Sequence, residues 1–340
     1  MKKSIILIAI MAWLAVITAA VLIMGGAING GFTMPDNSVL LKEESIPLAG
    51  IDEIQIETDS LDIEFIIGDV AHLQALQFGS ERTTAEELFN ITHNNGCLKI
   101  SVKSLFRMFS INFSINERLV LEIPASWLGD VGVHNASGNI VLSDTFNWQN
   151  VDLSSSSGDL LIKGALYAED VRLHATSGNI ISHQALTVAG KLNITSSSGD
   201  IRLNNNLQAQ SIYAKAESGN IFLEQAKVRQ FELRTSSGDI RAKWLSGGGY
   251  AAASSGNIVI NLVAPLYDIE LVTSSGDIRL DVEEDISFDF MGRCSSGDIS
   301  ANFPLLKNEH GNRAEASVGS SPTISIRAEA TSGNICVDQR

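Results

Sequence analysis

A Ser-Gly pair followed by Asp or Asn occurs ten times between residues 137 and 334. The glycines are Gly138, Gly158, Gly178, Gly199, Gly219, Gly238, Gly256, Gly276, Gly297 and Gly333, and the steps between them are 20, 20, 21, 20, 19, 18, 20, 21 and 36 residues. A period near twenty is the signature of an array of small units that bury their apolar faces against one another. The spacing restricts the chain to repeat architectures.

The flanking positions show what each unit is. Seven and five residues before the glycine stand Val151/Leu153, Val171/Leu173, Leu192/Ile194, Phe231/Leu233 and Ile269/Leu271. Two and four residues after it stand Leu160/Ile162, Ile201/Leu203, Ile258/Ile260 and Ile278/Leu280. Apolar residues two apart share one face of a strand. Each unit is a strand, a Ser-Gly-Asp/Asn corner, a second strand and a looser return. Three residues before nine of the ten glycines, all but Gly138, the side chain is small: Ser155, Ala175, Ser196, Ala216, Thr235, Ala253, Thr273, Cys294 and Ala330. That position continues the inward phase at a tight corner. Glycine itself is required where the backbone takes positive φ or approaches a neighbour closely. Ser, Asn and Asp can stabilise such a turn by bonding local backbone.

After the glycine, Asn139, Asp159, Asn179, Asp200, Asn220, Asp239, Asn257 and Asp277 alternate, and Asp298 breaks the rule. If each unit is one coil, equivalent residues stack about 4.8 Å apart. Alternation then separates the carboxylates to about 9.6 Å, with Asn bridging them. A forty-residue coil with Asp on one edge and Asn on the other produces the same alternation, as does duplication of a forty-residue segment. The inward apolar pattern recurs in every unit and favours the twenty-residue coil.

The first thirty residues are a different material. Lys2 and Lys3 precede an uncharged apolar run over 5–24. Twenty residues of helix span about 30 Å, the thickness of a bilayer core. The run exceeds a signal-peptide core and lacks a sharp cleavage site. Residues 1–29 are therefore expected to form a short cytoplasmic end and an uncleaved transmembrane anchor. The lysines would be cytoplasmic and the remaining chain extracytoplasmic. Residues 30–50 read as a tether. Residues 51–130 read as an atypical first repeat and a β-rich cap, with Leu61 in the glycine place. Residues 131–340 read as the repeat solenoid, interrupted by a loop at 306–321. The aromatic stretch around 105–116 reads as an edge or cap.

The net charge of −15, or −17 without Lys2 and Lys3, excludes the positive footprint of a nucleic-acid binder. Three widely spaced cysteines, Cys97, Cys294 and Cys336, make no disulfide framework and no zinc motif. Cys294 reads as a small buried hydrophobe and Cys336 as the more outward thiol. His72, His93, His134, His174, His183 and His310 are scattered, and the corner aspartates are repeated equivalents. Glu309 and His310 read as polar loop. No catalytic, cofactor-binding or metal-binding residue is assigned.

"TSSGDIRL", "ATSGNI", the degenerate "ETDSLDIEF" and the ending "ASVGSSPTISIRAEATSGNI" resemble the bacterial DUF4097 family over roughly residues 50–340. Members of that family are often described as candidate adhesins. The resemblance implies an all-β, solenoid-like fold and a cell-envelope setting, and it transfers no catalytic residues. The expected fold is an all-β repeat β-solenoid, parallel β-helix-like, with about twenty residues per repeat after an N-terminal transmembrane helix. The expected function is a membrane-anchored extracytoplasmic binding or scaffolding protein, adhesin-like, without enzymatic activity. Its expected partners are the lipid bilayer, through residues 5–24, and an unidentified envelope protein or glycan. The alternatives are an accessory subunit of an envelope-stress signalling or assembly complex and a polysaccharide-acting β-helix enzyme.

Overall fold

A computed structural model describes residues 38–68, 71–103 and 117–340. Among them, one 3-10 turn at Ala85–Glu87 is the sole helical element, and every other element is a strand. Strands one repeat apart pair in parallel. One wall runs Val131, Val151, Val171, Leu192, Ile212, Phe231, Gly249, Ile269 in register. A second runs Ile140, Leu160, Ile180, Ile201, Ile221, Ile240, Ile258, Ile278. The return is a third wall through Phe146, Leu166, Leu186, Leu207, Ala226 and Leu245. The coil is therefore one unit long, and the forty-residue coil is excluded. In the middle of the stack single strands, Ile201–Ala216, Ile221–Ser237 and Ile240–Ser255, run through all three walls.

The core is the inside of the coils. The residue two past each corner, from Ile63 through Leu160 to Ile335, is fully buried. Burying such a side chain contributes about 1.5–3 kcal/mol. Aromatic groups plug the interior towards each end. Phe146 stacks on Trp148 at 4.4 Å, with Phe65 edge-on at 5.5 Å from Trp148. Phe303 lies edge-on to both Phe288 and Phe290 at the other end.

Chain order and stack order part company at both ends. The strands Ile269–Ser275 and Ile278–Val282 do not pair with the next unit in sequence. They pair with Ile324–Ser332 and Ile335–Gln339. Those strands pair in turn with Phe288–Ser296 and Ile299–Ala301. The other end mirrors this. Glu53–Thr58 and Asp62–Gly68 lie between the 130–142 coil and an outer layer made of Cys97–Val102 and Arg118–Pro124. At each end of the stack one unit, 53–68 or 324–339, is thus held one layer in from the outermost parallel strands.

Antiparallel strands cover most of both edges, where unpaired parallel strands would invite association. His72–Gly79 covers Arg118–Pro124, Val39–Pro47 covers His72–Gly79, and Asn90–Asn94 covers Cys97–Val102. At the far end Arg313–Val318 covers Phe288–Ser296, and Leu306–Lys307 pairs with it. Two sequence expectations are corrected here. Residues 39–47, read as tether, are a capping strand. Residues 306–321, read as an interrupting loop, contain an edge hairpin. Val39–Pro47 has no buried face to mark it as a strand, whereas Arg313–Val318 turns Ala314, Ala316 and Val318 to the core in alternation.

Cys294 is buried and Cys336 half-buried, as their phases require. Residues 5–24 and 105–116 lie outside the described residues. Among the described residues no helix is long and apolar enough to cross a membrane.

Candidate functional site

The Ser-Gly-Asp/Asn corners stack. In each corner after the first, the backbone N–H of the Asp or Asn donates to the side-chain Oδ1 of its counterpart in the neighbouring coil, at 2.6–3.0 Å. The order in space is Asp62, Asn139, Asp159, Asn179, Asp200, Asn220, Asp239, Asn257, Asp277, Asn334, Asp298. Alternation is unbroken. The break seen in sequence at Asp298 disappears because Asn334 is interposed. Asn179, Asn220, Asn257 and Asn334 also donate Nδ2 to the carboxylate beside them, at 3.1–3.3 Å. Each of these amides therefore links the carboxylate of one neighbouring coil to the backbone N–H of the other, and the corner Oδ1 acceptors are used within the stack.

The buried position three before each glycine follows the same two-coil rhythm. In the Asp units Ser155, Ser196, Thr235 and Thr273 donate a hydroxyl to the glycine carbonyl of the adjacent Asn unit, at 2.9–3.1 Å. In the Asn units Ala175, Ala216, Ala253 and Ala330 stand there instead. The buried hydroxyls thus have partners, as burial demands.

Burial pushes the Asp200 carboxyl up, but the Asn220 backbone N–H, the Arg202 guanidinium and the Asn220 amide outweigh it and hold it below the ordinary value. A carboxyl lowered by folding contributes stability above its unfolded value, about 3.9, and loses that contribution as pH falls through the folded value. Asp200→Asn is therefore expected to lose less stability than wild type between pH 5 and pH 2 in urea denaturation. Equal acid sensitivity of the two proteins would refute this assignment.

The concave surface lies elsewhere, on the outside of the first wall. The residues six before each corner glycine, or its equivalent Leu61, point outward and align as Gln55, Gly132, Asp152, Arg172, Asn193, Tyr213, Glu232, Tyr250, Glu270 and Arg327. Three hollows lie along this row. The central one, about 650 Å³, is lined by Asn193, Tyr213, Gln230, Glu232, Tyr250 and Tyr267 among others. A hollow of about 390 Å³ adjoins it and shares Lys191 and Asn193. A third of about 330 Å³ adjoins the opposite side and shares Gly249, Tyr250 and Asp268. The three hollows adjoin one another along a trough whose lining spans ten coils, about 43 Å at a strand spacing of about 4.8 Å.

Local chemistry builds the central hollow. A Cβ at Gly248 would lie 2.6 Å from the Tyr267 Cβ, so the glycine lets the 263–268 loop close onto the wall and present Tyr267. At Gly249 a Cβ would meet the Phe231 carbonyl oxygen at 1.9 Å. Arg234 donates Nε to Glu232 at 2.5 Å and sits over the Tyr250 ring at 4.6 Å. Both side chains are held before any ligand arrives. Asp152 and Arg172 pair at 3.1 Å further along. Carboxylates (Glu53, Asp130, Asp152, Asp170, Glu232, Asp268, Glu270) outnumber cations (Arg172, Lys191, Arg327) along the trough.

The histidines are not gathered. His134 and His174 share an outer row, where His134 Nδ1 meets Ser154 Oγ at 2.5 Å and His174 Nδ1 meets Thr195 Oγ1 at 2.8 Å. Ser154 Oγ also donates to the Val133 carbonyl, and Glu57, in register with His134, pairs with Lys99. Glu309 and His310 are exposed at the hairpin turn. Among the described residues no group of three or more His, Cys, Asp and Glu side chains is arranged to hold a metal ion. The trough tyrosines were not singled out by the sequence. Their signal was present: Tyr213 and Tyr250 share the outward place six before the glycine, and Gly247–Gly249 marks a close approach.

The fold and site define a capped parallel β-solenoid with a linear surface trough. The family model described as Toastrack DUF4097 matches residues 51–206 and again 181–338. The chain belongs to that family. It is similar to a solved candidate lipid-binding protein from Parabacteroides distasonis ATCC 8503, at 18% identity and TM-score 0.45, covering 88% of this chain and 97% of the other. A candidate adhesin from the same strain matches at 14% and 0.45, covering 88% and 98%. A candidate adhesin from Bacteroides fragilis NCTC 9343 matches at 15% and 0.43, covering 88% and 97%. No curated protein matches the sequence.

Proposed function

We propose that the protein is an extracytoplasmic binding and scaffolding module of the cell envelope, adhesin-like, held at the membrane by residues 5–24. It engages an extended envelope ligand along the trough. The carrying observation is the succession of three adjoining hollows along one row of ten coils. A parallel stack fixes its outer side chains at regular intervals, which suits a repeating ligand better than a compact one. Pre-paired side chains such as Glu232 and Arg234 lower the ordering cost of binding. The apolar segment, the two lysines before it and the acidic remainder are consistent with the anchor and its orientation.

The test is in-cell crosslinking of tagged full-length protein followed by analysis of the captured material. Wild type is expected to retain envelope polymer, and Asn193→Trp, which fills the trough, to lose it without a change in melting temperature. A second reading, an accessory subunit of an envelope complex, is favoured by Leu306, which is 80% exposed on the edge hairpin. Capture that survives Asn193→Trp but fails with Leu306→Asp would replace the first reading by the second.

A further inference from the structure

Three of the chain's four tyrosines, Tyr213, Tyr250 and Tyr267, meet in the central hollow of the trough. Resting on the binding-module reading above, we propose that this hollow is a subsite for an uncharged, extended β-(1→4)-linked hexopyranose chain. Four features of the hollow lead there.

The first is periodicity. Tyr213, Glu232 and Tyr250 occupy one row in successive coils. The two tyrosines are therefore two strand spacings apart, about 9.6 Å. A flat β-(1→4) chain advances by close to one strand spacing per ring and flips each ring relative to the last. Its two-ring repeat thus matches the aromatic interval. An α-(1→4) chain coils and would leave a straight row.

The second is the lining. Tyrosine offers a flat apolar body with a hydroxyl at its tip, which fits the C–H face and the hydroxyl rim of a sugar ring. Glu232 lies between the two rings of the row, Asn193 follows Tyr213 on its other side, and Ser211 and Gln230 line the hollow in the adjacent row. Amides and hydroxyls both donate and accept, as sugar hydroxyls do.

The third is charge. Carboxylates outnumber cations along the trough, and Glu232 is already bound by Arg234. This surface repels a polyanion, an anionic lipid headgroup included, and tolerates a neutral polyol. The fourth is shape. A further hollow adjoins it at each side, in line with a chain that extends along the stack. Its central volume of about 650 Å³ lies within the 300–1,000 Å³ range of ligand sites.

The test is isothermal titration of detergent-solubilised full-length protein with cellohexaose, chitohexaose, laminarihexaose, maltohexaose and heparin. Cellohexaose or chitohexaose is expected to bind, and maltohexaose and heparin are not. Tyr213→Ala and Tyr250→Ala are each expected to weaken binding about tenfold, with Tyr213→Phe close to wild type. Melting temperatures should be unchanged, since the outward rings lie outside the core. Binding of neither β-(1→4) hexaose would overturn the proposal, as would tighter binding of heparin or alanine variants that bind like wild type. If the tyrosine variants lose envelope capture in cells while no hexaose binds, the sugar assignment falls and the binding-module reading stands.

Discussion

Gly219→Ala is expected to cost more than about 4 kcal/mol, at the extreme end of single substitutions. The added Cβ would lie 2.1 Å from the carbonyl oxygen of Gly199 and 2.6 Å from its carbon. Real contacts of that kind do not occur, so one backbone must move. Neither can move cheaply. The Asn220 N–H is bonded to Asp200 Oδ1 at 2.8 Å, and the Ile221 N–H to the Asp239 carbonyl at 2.9 Å. Ile201 and Ile221 behind them are fully buried in a close-packed interior. The same contact recurs at every interior corner, for instance Gly158 on Gly138 and Gly276 on Gly256. Close approach is therefore the general reason for these glycines. Gly311→Ala is the control: nothing lies within 4 Å of its Cβ, and only a positive φ of 67° resists it. It should cost about 1–2 kcal/mol. Urea denaturation of both variants checks the pair. A Gly219→Ala protein within about 1 kcal/mol of wild type would refute the stacked corner.

Asn220→Asp is expected to cost about 2–4 kcal/mol at neutral pH. It would place carboxylates at 200, 220 and 239 in a row, each about 4.8 Å from the next. Two unit charges at that distance repel by about 3.5 kcal/mol at an effective dielectric of about 20. The Asp200 and Asp239 side chains are 22% and 25% exposed, so solvent trims this. The substitution also removes the Nδ2 bond to Asp200 at 3.1 Å, worth about 1 kcal/mol. Acidification should shrink the deficit, because a protonated carboxyl removes the repulsion and restores a donor. Asp239→Asn, the mirror change, creates no like-charge contact. It gives up the Arg241 pair at 2.9 Å, which is exposed and worth under about 1 kcal/mol. Comparable losses in the two variants at pH 7 would show that alternation carries no electrostatic role.

The coil was legible because its constraints are local. Val151/Leu153 and Leu160/Ile162 announce two inward faces from their spacing alone, and the small residues three before nine of the ten glycines announce the corner. The alternation was legible, but its completion was not. Asp277 and Asp298 are consecutive corners in sequence, and only the interposed strands 324–339 separate them. That placement is a long-range pairing choice that no local pattern encodes. The charge rule nonetheless agrees with it, since chain-order stacking would set the two carboxylates side by side. The trough was hidden for a related reason. Tyr213 and Tyr250 belong to different units, and Tyr267 sits in a loop whose approach depends on Gly248. The strand Val39–Pro47 was missed because its faces are half-buried or exposed throughout.

Stack order is the claim on which both the charge ladder and the full length of the trough depend, and Cys336 tests it directly. Cys336 lies in register with Arg279 on one side and Ser300 on the other. Neighbours in parallel strands are about 4.8 Å apart at Cα, within the range a disulfide can bridge. Arg279→Cys in the full-length protein, oxidised mildly and digested for mass spectrometry, should yield a 279–336 crosslink in high proportion. Absence of that link, with Arg279→Cys instead joining Ser300→Cys in a Cys336→Ser background, would mean that the coils stack in chain order and would contradict the architecture described above.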